Sequence, residues 1–343
     1  MIRSVIKKYG VYFLFLFILL LFFGPYLKNT SYLGVRDLGH FSFNDAVARE
    51  SYAHGEFPLW NPYYCGGNVM IAKPQSNYIS PFFILHLFLP LMPAIKVNIL
   101  LHLFMGLVGM YLLGRYFKWS FIGNITASFI FVINGVVWLK IQEGHYVWIG
   151  ICWLPFIILF SLKSKEDIKY SLLAGLFLAL AFLDGHAYSV LYTFLLIVVL
   201  FIVDIAKSKS LRPILPLIGI GISFLLISAV KLIPLISFIS DNPKMTTLVG
   251  GYTFYHLILV LVSSNTIPGL PLMWHEFGAY MGVVPFILFL AGLLLFWRKL
   301  ADFTISLIFF ILLVMGSNSP INLSKFLHSL PFFSSIYSPY CLV

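Results

Sequence analysis

The chain has 343 residues, of which 60% are hydrophobic and only 10% charged, with a formal net charge of +10 and a mean hydropathy of +0.96. A water-soluble domain carries about 25% charged residues because its surface must face water, so this composition excludes one. The basic residues fall in short clusters between apolar segments rather than along one groove, which points to a membrane and away from nucleic acid.

The first element is basic, with Arg3, Lys7 and Lys8 ahead of the apolar run Val11–Phe23. No small-x-small cleavage pattern follows it, so a retained signal-anchor helix is expected over 9–25 rather than a cleaved leader. Further windows of spanning length are 95–114, 119–139, 146–162, 169–184, 187–206, 213–234, 281–297 and 302–316, making about nine transmembrane helices in an all-α bundle. Tyr78–Pro90 is apolar but short and holds Pro81, so it is expected to be re-entrant or interfacial.

Charge then orients the helices. With the N-terminus inside, the inner loops hold Arg115/Lys118, Lys163/Lys165/Lys169, Lys207/Lys209/Arg212 and Arg298/Lys299; with Arg3, Lys7 and Lys8 these make 13 of the 22 Lys and Arg. Eight of the twelve acids then lie outside: Asp37, Asp45, Glu50, Glu56, Glu143, Asp184, Asp241 and Glu276. Histidines 40, 54, 145, 186, 256 and 275 lie there too. The expected location is therefore a plasma (inner) membrane, with a cytoplasmic N-terminus and the proton-transfer chemistry outside.

Two outer loops are long, 26–77 and 235–280. In the first, Ser42 and Asp45 form a weak capping-box pattern for a surface helix over 43–54, with Asp45 and Arg49 four apart and Gly55 at its end. Pro58-Leu-Trp-Asn-Pro62 and Gly66-Gly67 call for a tightly turned stretch, which presents Trp60 and Asn61. Asp37 follows the first membrane helix. A carboxylate there can act as a general base toward an acceptor hydroxyl, and Arg36 beside it offers a fixed charge for a phosphate oxygen.

Asp184-Gly185 reads as a turn that aims His186 outward. Glu143-Gly144-His145 stands at a helix end, and Glu276 precedes a helix whose N-terminus it can serve. His102 and Lys231 fall inside membrane segments; Lys231, near a helix end, is expected to snorkel. No cysteine spacing marks a disulfide framework, and His40, His54, Asp45 and Glu50 lack metal-ligand spacing, so no metal site is expected. Neither Gly-x-x-x-x-Gly-Lys nor Gly-x-Ser-x-Gly occurs, so nucleotide hydrolysis and serine-hydrolase chemistry lack a motif.

The run from Asp37 through Glu56-Phe-Pro-Leu-Trp-Asn61 to Gly66-Gly67-Asn68 resembles the first outer loop of the bacterial YfhO-like membrane proteins. Gly185-His186, His275-Glu276-Phe-Gly-Ala-Tyr280-Met-Gly282 and Leu330-Pro331-Phe-Phe333…Ser338-Pro339 are similar to later motifs of that family. The resemblance implies a GT-C-like fold over 1–343, with interfacial helices in the first outer loop. It also implies transfer of a sugar from a polyprenyl-phosphate donor to an envelope glycan, lipid or protein acceptor.

Carried onto this chain, the loop acid is Asp37, and Arg36, Trp60, Asn61, Lys140, His145, His186, Glu276 and Tyr280 are the substrate-binding candidates. Leu38 follows Asp37 where many GT-C enzymes have a second acid, so metal binding through an adjacent pair is not supported; no cofactor is expected, with a divalent metal left open. The chain stops at Tyr340-Cys-Leu-Val343, where relatives continue, so a truncated C-terminus is expected. The alternative function is a transporter or flippase of a lipid-linked or envelope precursor; a catalytically inactive scaffold is a third.

Overall fold

The structure, a computed structural model, describes residues 2–28, 37–242, 250–270, 274–330 and 333–335. The described residues are mostly helical, with loops between the helices and one hairpin of two-residue strands. The helices are α1 (Ile2–Lys28), α2 (Leu38–Ala53), α3 (Leu85–Phe88), α4 (Leu91–Tyr116), α5 (Phe121–Val132), α6 (Gly135–Gln142), α7 (Leu154–Lys163) and α8 (Tyr170–Leu183). They continue with α9 (Ala187–Ser208), α10 (Ile214–Asp241), α11 (Phe254–Val262), α12 (Trp274–Phe277), α13 (Val283–Phe296), α14 (Ala301–Met315) and α15 (Leu323–His328). Strands β1 (Trp60–Asn61) and β2 (Asn68–Val69) pair antiparallel.

Among the described residues, seven helical stretches are long and apolar enough to cross a bilayer, and α8 and α13 are shorter apolar helices of 14 residues. The molecule is thus an all-α polytopic membrane protein. Each expected window falls on helix, but two are not continuous α-helix. In window 119–139, Ile133 closes one helix and Asn134 caps the next, its Oδ1 accepting Val137 N–H at 3.1 Å, so α5 and α6 are separate pieces of one span. Window 146–162 opens as a 3-10 helix, Tyr146–Trp153, and becomes α7 with Pro155 in its first turn, where a missing N–H costs nothing.

Burial follows the helix period. Phe15, Leu19 and Phe23, four apart on α1, pack on Ile95, Ile99 and Leu103 of α4, while Phe13, Phe17 and Leu21 stay exposed and suit contact with lipid. Small residues bring α8 against α10: a Cβ on Gly175 would lie 2.4 Å from Ser223, and one on Gly219 2.5 Å from Ser171 Oγ. In lipid there is little hydrophobic drive between helices, so such close backbone approach supplies the attraction through packing.

The first long loop departs from the sequence reading in detail. Its helix begins at Leu38 rather than near 43, so Ser42 and Asp45 lie inside it and form no capping box; both are buried. Phe41 anchors α2, its ring 5.4 Å from that of His145 and 5.9 Å from that of Tyr146. Residues 81–88 form a short 3-10 turn followed by α3, started by Ser80 Oγ accepting Phe82 N–H at 3.1 Å, too short to span. The second long loop is shorter than expected because α10 continues to Asp241, and it contains α11 and α12.

Candidate functional site

Asp37 occupies the N-cap position of α2, yet its side chain does not cap that helix. Its carboxylate Oδ2 instead accepts a hydrogen bond from His145 Nε2, and its backbone N–H donates to the Glu143 carbonyl at 3.1 Å. The corner 143–145 admits this approach because Gly144 has φ +83° and no side chain: a Cβ there would lie 2.3 Å from Leu38 N. His145 is buried, whereas the Asp37 side chain is 53% exposed. The carboxylate is therefore held from one side and open on the other. Burial lowers the His145 pKa, with Lys140 adding to it and against the opposing pull of Asp37.

Behind this pair lies a second set of charges. The His145 and His275 rings meet edge to face with centroids 5.4 Å apart. His275 Nε2 lies 3.3 Å from Glu276 Oε1, and its Nδ1 lies 3.7 Å from Glu143 Oε2. Lys140, in the last turn of α6, is 3.3 Å from Glu276 Oε2 and also sits over the Trp148 ring at 4.4 Å. Although burial works to raise it, His275 and Lys140 together hold the Glu276 carboxyl down to about 2. The ligand-type atoms of His145, His275 and Glu276 all lie within 4.8 Å of one another, so this is where a metal ion could be held. Glu276 is thus committed to Lys140 and His275 and does not serve the start of α13, and the two acids and two histidines converge without any adjacent acid pair in the sequence.

Not every expected residue joins this set. Arg36 lies outside the described residues, as do Pro331, Ser338 and Pro339 of the last motif. Trp60 and Asn61 form β1: Asn61 Oδ1 accepts Tyr63 N–H at 2.9 Å, and Trp60 covers Gly67, whose φ of +115° and missing side chain admit the indole. Their role in the fold is to shape the hairpin, which reaches α2 through the Tyr64 and His40 rings, 6.0 Å apart. Tyr280 contributes its carbonyl, which accepts Gly135 N–H at 2.6 Å and ties the segment after α12 to the start of α6. His186 does not open outward; it is buried behind Trp148, ring centroids 4.9 Å apart, and is bonded to Ser189. Burial, with Lys140 adding to it, lowers its pKa to about 3.

Sequence reasoning missed three buried polar centres. Asp184 accepts hydrogen bonds from His102 Nε2 at 2.9 Å, Trp153 Nε1 at 2.7 Å and Ser80 Oγ. Lys231 does not snorkel; fully buried, it donates to the carbonyls of Pro74, Ser76 and Phe182 at 3.0, 2.6 and 2.8 Å. Asp45 accepts from Tyr146 OH at 2.6 Å and from Asn77 at 3.4 Å. The available signal was an ionisable residue amid apolar neighbours, most visible at His102 and Lys231.

Burial raises the Asp45 pKa from 3.8 to about 7, against the hydrogen bonds from Tyr146 and Asn77. The folded state therefore favours the protonated acid. This contribution is complete below about pH 4 and is lost as pH rises toward and through 7. Asp45→Asn, neutral at every pH, is expected to raise the thermal midpoint at pH 8 and to change it little at pH 4.5. The opposite ranking in detergent melts would show that Asp45 is at home as an anion.

From Ala187, next to His186, an apolar groove of about 420 Å³ opens between α8, α9 and α10, lined by Leu178, Phe182, Tyr188, Leu191, Phe224 and Leu235 among others. Comparison with protein-family models, curated proteins and solved structures gives no match.

Proposed function

We propose that this protein is a membrane glycosyltransferase of GT-C type, moving a sugar from a polyprenyl-phosphate donor to an envelope glycan, lipid or protein acceptor outside the plasma membrane. The observation that carries the reading is the Asp37–His145 pair: a half-exposed carboxylate fixed at one oxygen and backed by a buried cation. The distribution of basic loops supports a cytoplasmic N-terminus with this pair on the outer side. Acceptor O–H gives its proton to the free oxygen of Asp37 as its oxygen bonds to the anomeric carbon. The bond from that carbon to the phosphate oxygen breaks, and polyprenyl phosphate leaves with the electron pair. Lys140, the cation behind the pair, would stabilise the charge on that phosphate. The groove between α8, α9 and α10 suits a branched hydrocarbon chain, being almost wholly apolar.

A second reading, translocation of a lipid-linked precursor, draws on a different observation. Asp184, His102 and Lys231 are buried in or beside membrane segments, where ionisable groups commonly mark a transport path. One assay on proteoliposomes separates the two. Radiolabelled polyprenyl-phosphate sugar and an envelope acceptor fraction are supplied on the outside; transfer yields labelled acceptor and free polyprenyl phosphate. Movement of intact donor across the bilayer without bond cleavage would replace the transferase with the transporter.

A further inference from the structure

We propose that His145, His275 and Glu276 form a binding site for one zinc-class divalent cation, with Asp37 as the outer carboxylate that orients His145. The inference goes beyond sugar transfer and does not depend on it.

The donor set is two imidazoles and one carboxylate, whose ligand atoms lie within 4.8 Å of one another. Tetrahedral zinc at bonds of 2.0–2.2 Å holds such atoms about 3.3 Å apart, so modest side-chain rotations close the set. Three protein ligands leave a fourth position for water or a substrate oxygen. Magnesium and calcium prefer oxygen donors throughout, and two ring nitrogens argue against them.

The surroundings supply a second, independent observation. A metal-bound histidine usually donates its other ring N–H to a carboxylate. His145 Nε2 is on Asp37, while its Nδ1 is buried and has no hydrogen-bond partner among the described residues. His275 Nδ1 is likewise buried without one, and a Glu143 carboxylate oxygen lies 3.7 Å away. Glu276 keeps one oxygen toward Lys140 and turns the other to His275, 3.3 Å away. A neutral carboxylate–cation contact is thereby retained on one side while the other oxygen binds the ion. With an ion at His145 Nδ1, the ring proton is fixed on Nε2, where it donates to Asp37. The metal thus sets the tautomer that holds the exposed acid in place.

The test uses the full-length protein in detergent, stripped with a chelator and titrated with zinc alone against a chromophoric competitor. One zinc per chain is expected. His275→Ala and Glu276→Gln are each expected to weaken binding by at least about 100-fold, and Asp37→Asn by about 10- to 100-fold, the range for loss of an outer-shell partner. Cobalt on the wild-type protein is expected to give the visible absorption bands of a four-coordinate site, a readout that needs no variant to fold. Absence of those bands together with sub-stoichiometric zinc overturns the proposal, as does equal affinity in well-folded Glu276→Gln. Neither result bears on whether the protein transfers sugar, and failure of transfer leaves the zinc measurement unaffected.

Discussion

Asp37→Asn is expected to cut sugar transfer by about 10²–10⁴-fold, the span that general-base catalysis supplies. Asparagine keeps the size of the side chain and can still accept the His145 N–H through its amide oxygen, so the corner at Gly144 and the start of α2 should persist. What it loses is the ability to take a proton on the outward-facing atom. The expected pattern is unchanged insertion and melting temperature with a fall in turnover at saturating donor. Asp37→Glu should recover part of the loss, limited by the extra methylene in a site held from behind by His145. Near wild-type transfer by well-inserted Asp37→Asn would remove this residue from the chemistry.

The largest effect on stability is expected at Asp184. Removing its carboxylate leaves Ser80 Oγ, His102 Nε2 and Trp153 Nε1 without their acceptor in a buried setting. Each unmet buried group costs about 1–3 kcal/mol, and loss of one member of a buried charged network costs about 3–5 kcal/mol. Asp184→Ala should therefore lower the unfolding free energy by about 3–5 kcal/mol, read by denaturant unfolding in mixed micelles. Asp184→Asn should lose less, because its amide oxygen retains an acceptor. A change in Asp184→Ala within about 0.5 kcal/mol, as for an ordinary surface position, would mean that water enters and replaces the carboxylate.

These two acids also mark what could be read from the chain in advance. Hydropathy located the apolar helices, seven of them long enough to span among the described residues, because lipid imposes one rule, apolar helix, on each stretch independently. Asp37 stood out in the chain as an acid shortly after the first spanning helix. Its partner was named too, but nothing local says that His145 faces Asp37 rather than the helix end beside it. That depends on Gly144 admitting residue 38, a contact between segments more than a hundred positions apart. Asp184 was read as a turn residue, and its Gly185 does turn, with φ +91°. The carboxylate's real work is with three side chains from other helices, which turn chemistry cannot indicate. Helix starts were least legible where the cap lacks a side-chain bond, as at Asp37, which explains why α2 begins five residues early.

The position of Lys231 has a consequence for biogenesis. Its three carbonyl acceptors, at 74, 76 and 182, all precede it in the chain. When α10 leaves the ribosome and moves sideways into the bilayer, the oxygens that will receive its ammonium are already made. The cation can pass from the aqueous insertion channel onto a waiting cradle, without a period alone among hydrocarbon tails. A chain rearranged so that α10 were synthesised ahead of residues 74–182 would lose that advantage, and its insertion, rather than its finished fold, is where the penalty would fall.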